Sequence, residues 1–503
     1  MNPPGSACEV ERFRAAIARE LGLFFEDARL SLLANLLDRR ATARACGRSS
    51  YLAELESGGL PGERAALAHE LTIPETYLFR HIDQFHAFRE VALSELLLAR
   101  RAAGRMRVLS AGCATGDEAY SVAILLREAG FEMSPHVFVR GVDVNPVVLE
   151  RARRARFGSW ALRETPPEVQ RRWFREDGRE LLLDESVRRL VRLEERNLVE
   201  DNAELWGESC YDVVFFRNVV MYFTPEHARA VVARIARALV PGGYLFLGHA
   251  ETLRGLSHDF SLRQSHGAFY YQRKQAQLQP FAECSDGSAS RHALSACIAP
   301  EADTGWADAI SRASERIRTL SSAGDTCAPA QAARRTAPEL SSTLELLRRE
   351  RFGQALDSLQ ALSSDASRHP DPLLLQAVLL AQSGDLARAE KVCQELLELD
   401  ELNAGAHYAL ALCREGAGDR HGAAGHDRTA IHLDPAFSMP RLHLGLLARR
   451  AGDVAAARRE LMQALVLLER EDASRVLLFG GGFRREALIA LCRAELATCG
   501  KGS

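Results

Sequence analysis

The chain has 503 residues, 47% of them hydrophobic and 26% charged, enough to bury the cores of two or three domains. Its formal net charge of -3 argues against bulk nucleic-acid binding and against an acidic tail. The eleven cysteines include no C-x-x-C pair, so neither a disulfide framework nor a zinc site is expected.

The amino end, MNPPGSACEVERFRAAIARELG, has charges where a signal peptide needs an apolar core, and no later run approaches the length of a membrane span. A cytoplasmic chain is expected. Residues 1–95 read as a helical domain: VERFRAAIARELGLFF and ARLSLLANLLDRRATA carry apolar residues at helical spacing. Arg29, Arg39, Arg40 and Arg44 fall on the polar positions, as a solvated face or as a docking face for an acidic partner.

Residues 96–273 alternate short apolar runs with helical segments. The runs RVLSA, HVFVRGVD, DVVFFRN and GYLFLGH predict a doubly wound, mainly parallel, Rossmann-like α/β sheet. PGG at Pro241 to Gly243 is read as ending the helix HARAVVARIARAL. The segment 174–197, FREDGRELLLDESVRRLVRLEERN, is expected to form an added hairpin or small antiparallel piece.

The stretch RVLSAGCATGDEAYS joins the first run to a glycine turn and then to a helix. Gly112 and Gly116 let the backbone turn sharply and approach a ligand, and the helix start offers free N–H groups. Asp143, 27 positions beyond Gly116, closes the next run and supplies a carboxylate for two ribose hydroxyls. The turn lacks the G-x-G-x-x-G spacing of dinucleotide folds, which favours S-adenosylmethionine over NAD. Asp143 has a plainer reading as the cap of the helix near Asn145. Cys113 reads as a small packing residue.

Residues 274–336, rich in Ala, Ser, Gln and Pro, read as a flexible linker. Beyond it Gly384-Asp385, Gly418-Asp419 and Gly452-Asp453 recur 34 apart, as do Ala389, Ala423 and Ala457. A weaker copy keeps Ala355 but has Glu350 in place of the glycine. That period predicts tetratricopeptide helix pairs over 337–472, an α-solenoid with a concave binding face. Residues 473–503 would supply a capping helix and tail, with Gly480 to Gly482 breaking before LIALCRAEL.

TIPETYLFR, RVLSAGCATGDEAYS, GVDVN, RNLV, FFRNVVMYF and GYLFLGHAE occur in this order between Thr72 and Glu251. Over residues 10–273 the chain resembles the chemotaxis receptor methyltransferases, and its tail is similar to that of members bearing tetratricopeptide repeats. The resemblance implies an S-adenosylmethionine-dependent protein-glutamate O-methyltransferase acting on the cytoplasmic helical bundle of a methyl-accepting chemoreceptor, with a further protein partner for the repeats. It places cofactor contacts at Thr76, Arg80, Gly112, Gly116, Glu118, Asp143, Asn197, Leu198, Arg217 and Asn218. Asp143 would take the ribose hydroxyls, Asn197 and Leu198 the adenine edge and face, and Glu118 the amino group of the methionine part. Arg80 would grip the methionine carboxylate or the substrate carboxylate. Arg80, Arg107 and Tyr222 would lie near the transferred methyl, and Arg39 and Arg40 would meet the acidic bundle. Pro74 stands where relatives have Asn, which removes one amide donor. The inserted segment lacks a glycine-rich hairpin loop, so recognition independent of a receptor tail is expected. Two alternatives remain at this point: a cofactor-binding scaffold that recruits partners through its repeats, and a small-molecule or nucleic-acid methyltransferase.

Overall fold

The computed structural model describes residues 4–275 except 61, 100–104 and 133, together with 354, 355, 359 and 369–499 except 481, 482 and 484. The expected linker from 276 onward, Glu350 of the weakest repeat and Gly481 and Gly482 of the expected break lie outside the described residues. The chain divides into two compact units, Met1–Glu251 with Asp259–Pro280 and Thr252–His258 with Phe281–Ser503. Among the described residues no helix is long and apolar enough to cross a membrane.

In the first unit, helices α1 (Pro4–Leu21), α2 (Leu30–Ala43), α3 (Arg48–Glu56) and α4 (Glu63–Leu71) converge their apolar stripes. Phe13, Ile17, Leu33, Leu37, Tyr51, Leu52 and Leu67 form a core of their own, with Phe13 and Ile17 on α1 and Leu33 and Leu37 on α2 each one helical turn apart. Beneath it lies Glu63, 1% exposed. Its two oxygens accept from Arg40 at 2.6 and 2.9 Å, from Arg44 at 2.9 Å and from the Tyr51 hydroxyl at 2.9 Å. Burial would push this carboxyl up, but these donors outweigh it and hold it below its ordinary value. The docking expectation for Arg40 is therefore corrected: its charge fastens α2 to α4. Arg39 is exposed and pairs with Glu70 at 2.6 Å.

The expected domain boundary near residue 95 also moves. Helices α5 (Ile82–Ala87) and α6 (Leu93–Ala99), with the π-helical turn between them, pack Phe85, Phe88, Leu93 and Leu96 against the sheet residues Val108, Phe215 and Phe246. The apolar residues between Leu78 and Leu96 thus share the core of the sheet and not that of α1–α4.

The sheet follows in chain order as β1 (Met106–Ala111), α7 (Asp117–Glu128), β2 (Val137–Asp143), α8 (Pro146–Arg154), β3 (Arg156–Phe157), α9 (Pro167–Trp173), β4 (Phe174–Asp177), β5 (Glu180–Leu183), α10 (Glu185–Arg188), β6 (Val191–Glu195), β7 (Tyr211–Phe216), α11 (Pro225–Ala238), β8 (Leu239–Leu247), β9 (Phe260–Ser265) and β10 (Ala268–Arg273). Seven strands order as β6-β2-β1-β7-β8-β10-β9, parallel as far as β8 and antiparallel at β10 and β9. The chain winds from β1 through β2 to β6, then returns to the other side of β1 with β7. The crevice outside the carboxyl ends of β1 and β7 is the switch point where such sheets bind ligands.

Two expectations change here. Of residues 174–197, only 174–183 form the antiparallel hairpin, in a small sheet ordered β3-β5-β4, while Val191–Glu195 joins the main sheet beside β2. The helix before PGG ends at Ala238, three residues earlier than the turn signal, because Leu239 is already extended and paired with Tyr211. Pro241 to Gly243 then form a bulge inside β8, with a register shift between Tyr211 and Val213. A side chain on Gly243 would stand 2.9 Å from the Asp212 carbonyl.

In the second unit the period of 34 has a structural cause. The helix pairs are Pro370–Gln382 with Leu386–Leu399, Ala404–Gly416 with Arg420–Leu433, and Ser438–Arg450 with Val454–Leu468. Gly384, Gly418 and Gly452 end the first helix of each pair at φ of 86°, 84° and 81°, a conformation that costs glycine little. Asp385, Asp419 and Asp453 then cap the second helix, each accepting from the backbone N–H three residues on. Ala389, Ala423 and Ala457 are fully buried. Helices Ala473–Phe479 and Arg485–Cys499 follow, the latter carrying LIALCRAEL.

This unit also buries a titratable group. His443 lies 2.8 Å from Asp427 and donates toward Glu415 at 2.9 Å, with Asp427 fully buried and Arg450 paired to the far side of Glu415. Burial alone would lower the imidazole, but the two carboxylates outweigh it and hold it above its ordinary value. Burial pushes Asp427 up to about 6, with His443 pulling the other way. Both groups therefore hold protons more tightly folded than unfolded, so the stability they supply is full at low pH and is lost as pH rises through their folded values. The thermal midpoint of this unit is expected to fall as pH rises from the ordinary aspartate range through about 6 and on past the ordinary imidazole range, with a shallower slope in His443→Gln. Calorimetry showing a midpoint that climbs over this window would contradict the assignment.

Candidate functional site

The turn after β1 is shaped by its glycines. Gly112 has φ +79°, and a Cβ there would stand 2.5 Å from Val219 Cγ2. Gly116 has φ +83° directly before α7, where a Cβ would meet Tyr120 at 2.9 Å and Ala152 at 3.0 Å. The N–H groups of Gly112 and Cys113 both donate to the Val142 carbonyl, at 2.8 and 2.9 Å, which fastens the turn to the end of β2. Cys113 is buried and its thiol is pushed far up by burial, in keeping with a packing residue.

Asp143 stands at the carboxyl end of β2 beside this turn. One of its oxygens accepts from Ala114 N–H and the other from Asn145 N–H, both at 2.9 Å. Burial raises this carboxyl while the amides oppose the shift. The helix cap is Asn145, whose side chain accepts from Val147 N–H, so the plainer reading of Asp143 as the cap of α8 is not what the structure has. Each Asp143 oxygen keeps acceptor capacity beyond its single amide.

Glu118, in the first turn of α7, and Arg217, at the end of β7, form a buried pair across the switch point, 3.2 Å apart. Ser110 donates to the other Glu118 oxygen at 2.7 Å. Burial raises Glu118, with Arg217 opposing, and burial lowers Arg217, with Glu118 opposing. Arg217 also donates to the Arg80 carbonyl, while its buried Nε has no hydrogen-bond partner among the described residues.

The Arg80 segment is strained and held. Phe79 and His81 have φ of +57° and +58°, which costs a residue bearing a Cβ about 1–3 kcal/mol. Ser121 accepts from Phe79 N–H at 2.9 Å, Glu164 accepts from the Tyr77 hydroxyl at 2.7 Å and from His81 N–H at 3.2 Å, and Leu78 N–H donates to the Ala161 carbonyl at 2.9 Å. The Arg80 guanidinium reaches the Glu75 carbonyl at 2.8 Å. Thr76 and Arg80 are partly exposed on this segment.

Asn218 follows Arg217 with φ +59° and donates its N–H to Glu251 at 2.6 Å. Glu251, 3% exposed, also accepts from Gly248 N–H at 2.7 Å and Met221 N–H at 3.3 Å. Sequence reasoning gave Glu251 no role, although it closes the GYLFLGHAE motif. It locks the ends of β7 and β8 together and so sets the Asn218 turn. Ser110, Ser121 and Glu164 were likewise missed, since each acts on a residue distant in sequence. Tyr222 lies half-buried in the turn Val220–Tyr222, whose backbone pairs with Phe24.

One residue stands elsewhere. Arg107 lies near the amino end of β1, opposite the switch point, where its N–H and guanidinium meet Asp212 at 2.9 and 3.5 Å and its Nη2 donates to the Ser209 carbonyl at 2.9 Å. Its placement near the transferred methyl is therefore corrected. Asn197 donates one N–H of its side-chain amide to the Glu20 carbonyl at 2.8 Å and accepts from Val199 N–H at 3.3 Å, so the side chain ties α1 to the loop after β6 and keeps its second N–H and second lone pair. Leu198 beside it is 6% exposed.

The remaining donor set fits S-adenosylmethionine. Asp143 offers a fixed carboxylate for a diol, Glu118 an anion for an ammonium, and Arg80 with the unsatisfied Nε of Arg217 offers cationic donors for a carboxylate. Gly112 and Gly116 leave space that a Cβ would fill.

Comparison with known proteins agrees. Residues 74–269 match the family model described as CheR methyltransferase, SAM binding domain. The chain is 28% identical over 461 residues to the probable biofilm formation methyltransferase WspC of Pseudomonas putida, covering 89% of this chain and 96% of that one. It is 31% identical over 248 residues to a probable chemotaxis protein methyltransferase of Rhizobium etli, covering 48% of this chain and 90% of that one. Among solved structures, PcrH from Pseudomonas aeruginosa is 23% identical, with a TM-score of 0.23, and the match covers 28% of this chain and 96% of that one. With the cofactor geometry at the switch point and a relative above 30% identity matched over nine-tenths of its length, the chain belongs to the CheR family of S-adenosylmethionine-dependent methyltransferases.

Proposed function

We propose that this methyltransferase esterifies glutamate side chains on the cytoplasmic helical bundle of a methyl-accepting chemoreceptor, working in the cytoplasm within a chemosensory pathway. The observation that carries the reading is Arg80: its carbonyl is held by Arg217 of the Glu118–Arg217 pair, while its guanidinium forms no ion pair within 4 Å among the described residues. A cation held at the edge of a methyl-donor site suits a carboxylate acceptor. The designations of the two relatives, for chemotaxis and for biofilm formation, support a signalling setting.

The chemistry asks for orientation more than for proton transfer. A glutamate side chain, with a reference pKa of about 4.3, is ionised at neutral pH and is itself the nucleophile. Bound S-adenosylmethionine supplies an electrophilic methyl group on a positively charged sulfur. Asp143 and Glu118 would hold the ribose and ammonium ends, Thr76, Leu198 and Asn218 would line the pocket, and Arg80 and Tyr222 would steer the acceptor oxygen. Such alignment is worth up to ~7–11 kcal/mol in well-oriented systems. Residues 1–71 would form the docking domain for the receptor helices, with Arg39 the exposed cation on α2. The concave face of the repeats would recruit a separate protein partner.

The test is incubation of the full chain with methyl-labelled S-adenosylmethionine and signalling fragments of candidate receptors. Protein-bound label released as methanol by alkali is the expected result. Label on no fragment, despite cofactor binding, would turn the reading toward a cofactor-binding scaffold, which the joint presence of Arg80, Glu118, Asp143 and Asn218 now disfavours.

A further inference from the structure

We propose that Trp160 and Arg163, together with Tyr77 and Arg80, form a docking strip for an acidic, glutamate-bearing helical face of the protein substrate, an inference that rests on the methyl-acceptor reading above. The guanidinium carbon of Arg163 lies 3.3 Å from the centre of the Tyr77 ring and 3.5 Å from that of Trp160. The two rings meet edge-on, 5.8 Å apart at 74°. Arg80 stands 5.8 Å from the Tyr77 ring. Arg163 is thus held between the rings of Trp160 and the buried Tyr77, with Arg80 near the Tyr77 ring.

The strip is built into the fold. Arg163 donates to the Trp160 carbonyl at 2.9 Å within the turn Ser159–Leu162, and that turn is bolted to the Arg80 segment by the Leu78 to Ala161 backbone bond and by Glu164. Trp160 is nevertheless 56% exposed. An indole left in water beside a stacked arginine has the composition of an interface centre, where Trp, Tyr and Arg are enriched. Neither Arg80 nor Arg163 forms an ion pair within 4 Å among the described residues, and their charges act at longer range on Glu118 and Asp117. Stacking fixes the guanidinium plane of Arg163 and leaves its outer edge for a carboxylate gripped by two parallel bonds.

The partner follows from the charge. Two arginines flank the Tyr77 ring, within 5.8 and 3.3 Å of its centre, beside an exposed indole, which suits carboxylates next to an apolar side chain. Residues three or four apart on a helix share one face, so a helix with glutamates at that spacing offers such a group. The strip thus selects helices with glutamates at helical spacing, independently of α2.

The test uses the full chain with Arg163→Glu and Trp160→Ala, both at exposed positions, and with Trp160→Phe as the conservative control. The probe is a labelled coiled-coil peptide of about four heptads carrying glutamates three and four apart. Fluorescence anisotropy should show wild-type binding that weakens with salt, a loss of about tenfold or more in Arg163→Glu, a loss of roughly fivefold in Trp160→Ala and recovery in Trp160→Phe. Calorimetric affinity for S-adenosylmethionine should stay within about twofold in all of them. Peptide affinity unchanged by both substitutions would overturn the strip, as would a parallel loss of cofactor binding. Methyl transfer to receptor fragments separates the two readings. Transfer with unaltered peptide binding in the variants sinks the strip alone, whereas variant-sensitive peptide binding by an enzyme that methylates no fragment upholds the strip and sinks the acceptor assignment.

Discussion

Asp143→Ala is expected to weaken S-adenosylmethionine binding by at least about 100-fold, because two hydrogen bonds to a charged acceptor, each worth about 1.5–3 kcal/mol, disappear together. The carboxylate is oriented before any ligand arrives: Ala114 N–H and Asn145 N–H fix one oxygen each, at 2.9 Å, so the ribose would meet an acceptor already in place. The same two bonds mean that the substitution also loosens the glycine turn. Asp143→Asn separates the effects, since an amide can still accept one backbone N–H but turns its NH2 against the other. Its affinity should fall between wild type and alanine. Both variants should keep the far-ultraviolet circular dichroism of wild type, because β2 is held by its ladders to β1 and β6. Calorimetry finding the wild-type dissociation constant in Asp143→Ala would remove this residue from the cofactor site. Acid should act in the same sense as the substitution. Burial raises this carboxyl above its ordinary value, so affinity should begin to fall at a higher pH than for an exposed aspartate.

The parts of the molecule legible in the sequence are those whose cause is local. The repeat was readable because Gly384, Asp385 and Ala389 each answer a local demand, a left-handed helix end, a cap and a tight crossing, and the demand recurs every turn of the solenoid. The strands were readable because β1 and β7 are buried along nearly their whole length, and β2 at four of its seven positions, which favours apolar runs. What could not be read depends on residues brought together from afar. Leu239 continues the helical pattern of α11, and only its pairing with Tyr211 makes it the start of β8. Glu251 serves backbone groups some 30 positions earlier. Arg107 looked like part of the glycine-turn motif because it adjoins it in sequence, yet a strand alternates its side chains and runs about 3.3 Å per residue. From Arg107 to the turn is most of the length of β1, and its guanidinium answers Asp212 at the other end. The tie from the Asn197 amide to the carbonyl of Glu20, 177 positions away, was equally invisible.

Arg40→Glu and Arg39→Glu should differ sharply, although the two residues are neighbours on α2 and equivalent in the sequence pattern. Arg40 is 17% exposed and Glu63 1%, and the pair is bidentate. Reversing Arg40 leaves a buried carboxylate without its main partner and sets a second negative charge against it. Removing one member of a buried pair costs about 3–5 kcal/mol, a large part of the roughly 5–15 kcal/mol that stabilises a domain. Arg44 and the Tyr51 hydroxyl would still reach Glu63, at 2.9 Å each, and protonation of Glu63 would recover some of the loss. The α1–α4 bundle should nevertheless melt well below the wild-type midpoint or fail to fold. Arg39 is 60% exposed, and its pair with Glu70 is of the surface kind worth about 0–1 kcal/mol. Arg39→Glu should therefore leave the midpoint almost unmoved, and if α2 meets an acidic receptor it should raise KM for the protein substrate more than it lowers kcat. Charge reversal at both positions together would not test docking, because loss of Arg40 dismantles the surface whose affinity is being measured. Thermal unfolding of the two single variants decides the point: equal midpoints would mean that Glu63 does not rely on Arg40, and the assignment of Arg40 as a fastener of α2 to α4 would have to be given up.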